Sequence, residues 1–379
     1  MAAVQARLAP EPYRSAAAFE AWVTGLARRA VEDAPPGVPR LVAFPEAIGL
    51  PLLFTPPEGP VHGGAAPDGR AGARGGDAEV AADPAVASGP AVVAGPAVAS
   101  GPDVATVDVD VYAGAPDLGT AALRLLRAEW RAVASAAWRH RVFGPSALYL
   151  ARAVPAYRAY AAAFRAAARE GDAVVVAGSA FLPEVEEEAA RGVHVTRPWV
   201  HNVAATFAPG GALLGRSRKV YLTPGAESRA GLRKGRVEDL PVFDTPAGRI
   251  GVAVCLDGWY DGVVGSLDGR GAQVLVQPSA NDAAWERPWP PDPRLTEGEA
   301  WLQRGLRAGL QGRLNLRYGV NPMLVGDFAG FRPRGRSSIV ANQAAGDGRT
   351  AWAEGRAGVL ALAHSADAEE VVTALVALG

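Results

Sequence analysis

Arg249-Ile-Gly-Val-Ala-Val-Cys255-Leu-Asp-Gly258 carries the single cysteine of a 379-residue chain. Five residues of β character precede Cys255, and at Leu256-Asp-Gly the chain must turn. A side chain at such a strand exit points into the crevice at the carboxyl edge of a sheet. Taken alone, the same cysteine also fits a small buried apolar residue, so its surroundings have to decide.

Upstream, Val242-Phe-Asp-Thr-Pro-Ala-Gly reads as the first arm of a hairpin that runs into Cys255. Downstream come a helix and the strand Ala272-Gln-Val-Leu-Val-Gln-Pro. Val203 to Arg216 reads as a second hairpin turning at Pro209-Gly-Gly, and Asp172-Ala-Val-Val-Val as a buried strand. The opening is β-α-β: a strand over 3–8, a helix over 15–32, and Arg40-Leu-Val-Ala-Phe44 ending at Pro45-Glu46. Hairpins interspersed with β-α-β units predict sheets of mixed direction with helices outside them, not an all-parallel sheet.

Residues 57–106 shift to Gly, Ala, Pro and Asp with a near-repeat around Ala87-Ser-Gly-Pro, which predicts a disordered insertion. Helical spacing over 120–140 and 147–170, broken at Gly144-Pro145, predicts a helical insertion or lid within 107–170. The whole of 1–379 is otherwise read as one domain.

Composition narrows the function. A formal net charge of -1 offers no broad field for nucleic acid or an anionic membrane. One cysteine forms no internal disulfide, and the five histidines are scattered, so neither a metal nor a cofactor is expected. The N-terminus lacks the apolar run of a secretory signal, and no stretch of about 20 apolar residues occurs, which predicts a cytoplasmic protein.

A thiol works as a nucleophile when one group takes its proton and another holds the charge formed on the substrate. Glu46 in Ala43-Phe-Pro-Glu-Ala leaves a strand where partial desolvation would tune it for proton transfer. Lys219, one of only two lysines, follows a strand in Ser217-Arg-Lys-Val-Tyr, where an ammonium is a compact charge for an oxyanion. Each also fits an ordinary solvated loop residue.

Together the strings Phe44-Pro-Glu46, Gly215-Arg-Ser-Arg-Lys219-Val-Tyr-Leu-Thr-Pro and Gly251-Val-Ala-Val-Cys255-Leu-Asp resemble the carbon-nitrogen hydrolases of the nitrilase superfamily, with their Glu-Lys-Cys triad. Asn202, Tyr318 to Gly326 and Gly335-Arg-Ser-Ser-Ile extend the likeness. The resemblance implies an α/β fold, a four-layer α-β-β-α sandwich with mixed sheets. It implies that Cys255 attacks the substrate carbon, that Glu46 is general base and acid, and that Lys219 with the Leu256 backbone N–H holds the oxyanion. A thioester acyl-enzyme follows, and water releases the acid.

By the same resemblance Glu227 in Pro224-Gly-Ala-Glu matches a second glutamate, and Asn281 falls where relatives contact substrate. Trp259 and Tyr260 are further substrate-contact candidates, with Trp285 and Trp289 beside them, and each aromatic also fits plain packing. Leu256-Asp257 resembles the amidase and carbamoylase branch more than true nitrilases. Gln311, Leu314 and Asn315 depart from the family string at that place, keeping only the asparagine.

The expected activity is hydrolysis of non-peptide carbon-nitrogen bonds, with an amide, N-carbamoyl or nitrile small molecule as partner. A true nitrilase and a non-catalytic binding protein on the same fold are the alternatives. A homodimer or larger homo-oligomer is implied, with no nucleic acid and no membrane.

Overall fold

A computed structural model describes residues 1–56, 112, 114–342 and 352–378. The stretch 57–106, expected to be disordered, lies outside the described residues.

Two mixed sheets form the centre. The first orders its strands as Glu370–Thr373, Ala2–Gln5, Leu41–Ala43, Val174–Val176, Gly192–Phe207 and Ala180–Glu188, with Leu213–Arg218 also paired to Gly192–Phe207. Ala2–Gln5, Leu41–Ala43 and Val174–Val176 run parallel, and the remaining pairs are antiparallel. The second sheet orders Val359–Leu362, Ser338–Ala341, Tyr318–Asn321, Val274–Val276, Gly248–Val252 and Val242–Thr245. Its three middle strands are parallel and its outer pairs antiparallel.

Strand alternation sets the layers, because successive side chains point to opposite faces. Ala3, Leu41, Ala43, Val174 and Val176 of the first sheet pack with Ile250, Val252, Val274, Val276 and Val320 of the second in one inter-sheet core. The opposite face of the first sheet, with Val4, Val42, Phe44 and Val175, is covered by α1 (Ala16–Val31) and α4 (Pro145–Glu170) through Phe19, Leu26, Tyr160 and Phe164. Between them in the chain lie α2 (Leu118–Ala128) and α3 (Trp130–His140). The outer face of the second sheet, with Leu275 and Val340, meets Val263 and Leu267 of α5 (Asp261–Gly269), Leu302 of α6 (Glu297–Arg304) and Leu306 of α7 (Leu306–Leu310). These are the four layers α-β-β-α.

Within 107–170, α4 is one of the layer helices, while α2 and α3 precede it. Arg152 on α4 forms a 2.8 Å ion pair with Glu129 and donates to the Leu53 carbonyl at 2.9 Å, so α4 is tied to the turn that follows Glu46. Tyr13 donates from its hydroxyl to the Ile48 carbonyl at 2.8 Å, holding that turn from the other side.

Helix starts follow local chemistry. Ser15 caps α1 and Asp117 caps α2 by accepting from N–H groups three residues on, and Thr296 with Glu299 forms a capping box on α6. In the departing string, the Asn315 amide donates to the Asp268 carbonyl at 3.0 Å and closes the end of α5, while Leu314 stands exposed.

Candidate active site

The site forms where strand ends of the two sheets meet. Leu41–Ala43 delivers Glu46, and Leu213–Arg218 delivers Lys219 on the next residue. The hairpin ladder runs one step further, the Lys219 N–H donating to the Asn202 carbonyl at 2.9 Å, so Asn202 and Lys219 are cross-strand neighbours. Gly248–Val252 delivers Cys255, which opens a single 3-10 turn, Cys255–Trp259.

Both strand exits hold unusual backbone. Cys255 has φ +50° and Ala47, beside Glu46, φ +59°. Non-glycine residues in this region cost roughly 1–3 kcal/mol each and cluster at functional sites. Gly178 permits the Glu46 exit: at φ +66°, a Cβ there would stand 2.0 Å from the Pro45 carbonyl oxygen. Ser179 then receives the Ala47 N–H on its hydroxyl at 2.9 Å.

Four of the expected residues come together. Lys219 Nζ lies 2.7 Å from Glu46 Oε1 and 2.7 Å from Glu227 Oε2. Asn202 Nδ2 bridges the same two carboxylates, at 2.8 Å to Glu46 Oε1 and 2.7 Å to Glu227 Oε1. The Thr223 N–H donates to Glu227 Oε2 at 2.7 Å, fixing the second acid from its own loop. Ala280 links the acid to the thiol: its N–H donates to Glu46 Oε2 at 3.1 Å, and its carbonyl stands 3.8 Å from Cys255 Sγ.

The electrostatics follow from this packing. Burial raises the Glu46 pKa, opposed by the Lys219 charge and reinforced by Glu227. For Lys219 burial acts downward, but the negative charge of Glu46, Cys255 and Glu227 outweighs it and lifts the pKa above the usual lysine value. Burial, then the Glu46 charge, pushes the Cys255 thiol well up, with Lys219 opposing. A thiol so raised is protonated at neutral pH, and its nucleophilicity then depends on a base that takes the proton during attack. Glu46, whose own proton affinity burial raises, is linked to the thiol through Ala280.

Sequence reasoning missed three groups. It noted Asn202 without its bridging role, which depends on sheet register. It used Asp257 only as a branch signal, yet this fully buried carboxylate accepts the Val220 N–H at 2.9 Å and the Tyr221 N–H at 2.7 Å, binding the lysine loop to the cysteine turn. Burial pushes the Asp257 pKa up to about 7 against those hydrogen bonds. Gln277, fully buried, donates to the Cys255 carbonyl at 2.7 Å.

The remaining candidates stand apart from this cluster. Tyr260 stacks on Tyr221 at 3.8 Å between ring centroids, and Trp259 meets Trp301 edge-on at 5.1 Å. Asn281 follows Ala280, but its amide donates to the Ala283 carbonyl at 3.2 Å. The Leu256 N–H is the second in its 3-10 turn, and the first donors of such a turn have no partner inside it. Among the described residues, Glu186, Glu188 and His194 on the Ala180–Phe207 hairpin bring one potential metal-ligand atom each within 4.8 Å of the others. His194 is 3.4 Å from Glu188, and both glutamates are exposed.

No helix among the described residues is long and apolar enough to cross a membrane. A family model described as "Carbon-nitrogen hydrolase" matches residues 132–299. Over 100 residues the chain is 34% identical to the human (Homo sapiens) protein "Omega-amidase NIT2", covering 23% of this chain and 35% of that one. The chain thus spans about a third of the length of that curated relative. Among solved structures, a carbon-nitrogen hydrolase from Helicobacter pylori G27 is similar at 23% identity and a TM-score of 0.42, covering 58% of this chain and 67% of that chain. A mutant of the amidase from Nesterenkonia sp. AN1, in complex with butyramide, is similar at 16% identity and a TM-score of 0.43, covering 66% and 84%.

Proposed function

We propose that this chain is a carbon-nitrogen hydrolase that cleaves amide or N-carbamoyl bonds of small molecules through a thioester on Cys255, a reading the family match over residues 132–299 supports. The observation that carries the reading is the buried ion cluster of Glu46, Lys219 and Glu227, with all contacts at 2.7 Å, set beside a cysteine on a strained turn.

In the first half-reaction Glu46 takes the Sγ proton as Sγ bonds to the carbonyl carbon. The carbonyl electrons move onto oxygen, and the oxyanion accepts hydrogen bonds from the Lys219 ammonium and the Leu256 N–H. Glu46 returns its proton to the departing nitrogen, the C–N bond breaks, and ammonia or an amine leaves a thioester. In the second, Glu46 deprotonates water, the resulting hydroxide attacks the thioester, and Cys255 leaves as a thiolate that regains its proton from Glu46. Glu227 balances the Lys219 charge and holds it in line. A prepared donor aimed at the oxyanion contributes roughly 100- to 1000-fold to turnover in acyl transfer.

Leu256-Asp257 supports amides over nitriles. Trp259 and Tyr260 end the cysteine turn, Asn281 follows Ala280, and all three are assigned to the substrate side of the site. The reading carries with it a homo-oligomer, for which light scattering is expected to give a mass above the 39.1 kDa of one chain.

The test is a panel of aliphatic amides, N-carbamoyl amino acids and nitriles, scored by ammonia release from the wild type and from Cys255→Ala. Amide or carbamoyl hydrolysis that vanishes in a folded Cys255→Ala supports the reading. Retained hydrolysis, or turnover of nitriles alone, overturns it.

A further inference from the structure

The carbonyl of Cys255 and the N–H of Leu256 belong to one trans peptide plane and point in opposite directions. Whatever holds that carbonyl therefore aims that N–H. The side chain that holds it is Gln277, whose Nε2 donates to the Cys255 carbonyl at 2.7 Å.

We propose that Gln277 is a positioning residue that orients the Cys255–Leu256 peptide so that the Leu256 N–H faces the developing oxyanion. This rests on the reading of the site as a cysteine hydrolase.

Three features show that the carboxamide is built into this position. Its backbone is fixed, the Gln277 N–H donating to the Val320 carbonyl at 2.8 Å and its carbonyl accepting from Ser279 Oγ at 3.0 Å. The next residue secures the other end of the nucleophile, since the Cys255 N–H donates to the Pro278 carbonyl at 2.8 Å. Gly258 leaves the room: a Cβ there would lie 2.4 Å from the Gln277 carboxamide carbon.

The side chain is otherwise poorly matched to its surroundings. Gln277 is fully buried, and its Oε1 has no hydrogen-bond partner among the described residues. An apolar residue of the same length would avoid the desolvation of that oxygen. What the carboxamide supplies, and an apolar residue would not, is a side-chain donor to the Cys255 carbonyl. That peptide needs such a hold, because Cys255 sits at φ +50°, where the chain gains by relaxing towards negative φ. Relaxation would rotate the peptide plane and swing the Leu256 N–H off its line. In this arrangement the Gln277 hydrogen bond adds a side-chain hold to a carbonyl that also closes the 3-10 turn, and so steadies both the strained turn and the orientation of the donor.

The experiment compares wild type with Gln277→Met and Gln277→Glu, using an amide the wild type hydrolyses. Three quantities are read: kcat, KM, and the rate at which iodoacetamide alkylates Cys255. Alkylation needs the thiol and its base but forms no oxyanion. Gln277→Met is expected to lower kcat about tenfold to a hundredfold, short of or equal to deletion of a donor. KM and the alkylation rate stay near wild type. In Gln277→Glu the new carboxyl donates only while protonated, so kcat relative to wild type recovers as pH falls.

An unchanged kcat in Gln277→Met overturns the inference. So does a loss of alkylation in step with hydrolysis in either variant, which assigns Gln277 to holding the fold. If Cys255→Ala retains hydrolysis, the hydrolase reading itself fails; if it is inactive while Gln277→Met is unimpaired, only this inference fails.

Discussion

Lys219 and Glu46 meet at 2.7 Å with side chains 1% and 5% exposed, and Glu227 contacts the same ammonium from its other side. Two buried carboxylates thus depend on one cation. Removing one partner of a buried ion pair leaves an uncompensated charge, at a cost of about 3–5 kcal/mol. Lys219→Met is expected to lose about that much stability in urea unfolding at neutral pH, and to lose hydrolysis. Glu227→Gln, which leaves one carboxylate on the cation, loses less.

The pH dependence follows from Glu46. Its folded pKa lies above the ordinary carboxyl value of 4.5, because burial outweighs Lys219. As the base, it must be ionised in the free enzyme, so kcat/KM rises with pH through an acid limb displaced above that value. Glu46→Gln removes the limb and the base, and leaves a thiol that burial still pushes up while Lys219 opposes, so cysteine alkylation becomes slow at neutral pH and recovers as pH rises. A pH profile of alkylation in both proteins checks this.

Asp257 predicts a pH-dependent stability. Its pKa is raised from 3.8 to about 7 by burial, so between those values the folded chain holds a proton that the unfolded chain has released. Stability from this group is therefore present at low pH and lost as pH rises through the folded pKa, by about 1.4 kcal/mol per pH unit across the window. Asp257→Asn removes that contribution. Urea unfolding at pH 5 and pH 8 is expected to show a wild-type decline that is smaller in the variant.

The strand exits bearing Glu46, Lys219 and Cys255 were legible because each combines a short β run with a turn signal. The mixed sheets were legible from hairpins alternating with β-α-β units. The long hairpin Ala180–Phe207 was not, because Glu184 to Glu188 and the residues after them mask strand periodicity with charge. The helix ends at His140 and Glu170 and the break at Gly144-Pro145 agree with the sequence reading, but one interruption was missed. The break between α2 and α3 falls at Glu129, which carries no turn signal but is tied to Arg152, whereas Pro155 lies inside an unbroken α4. Asn202, Asp257 and Gln277 escaped because each acts on a residue distant in sequence. Their partners are set by sheet register and by the meeting of two sheets, not by a local string.

The central claim is that Cys255 bonds to the carbon of an amide-type substrate. Rapid acid quenching of the wild-type enzyme during turnover of an active amide, followed by peptide mass spectrometry, tests it directly. The account predicts an acyl adduct on the Cys255 peptide that hydroxylamine releases. Steady turnover in which Cys255 stays unmodified at every quench time, with Cys255→Ala still active, would contradict it.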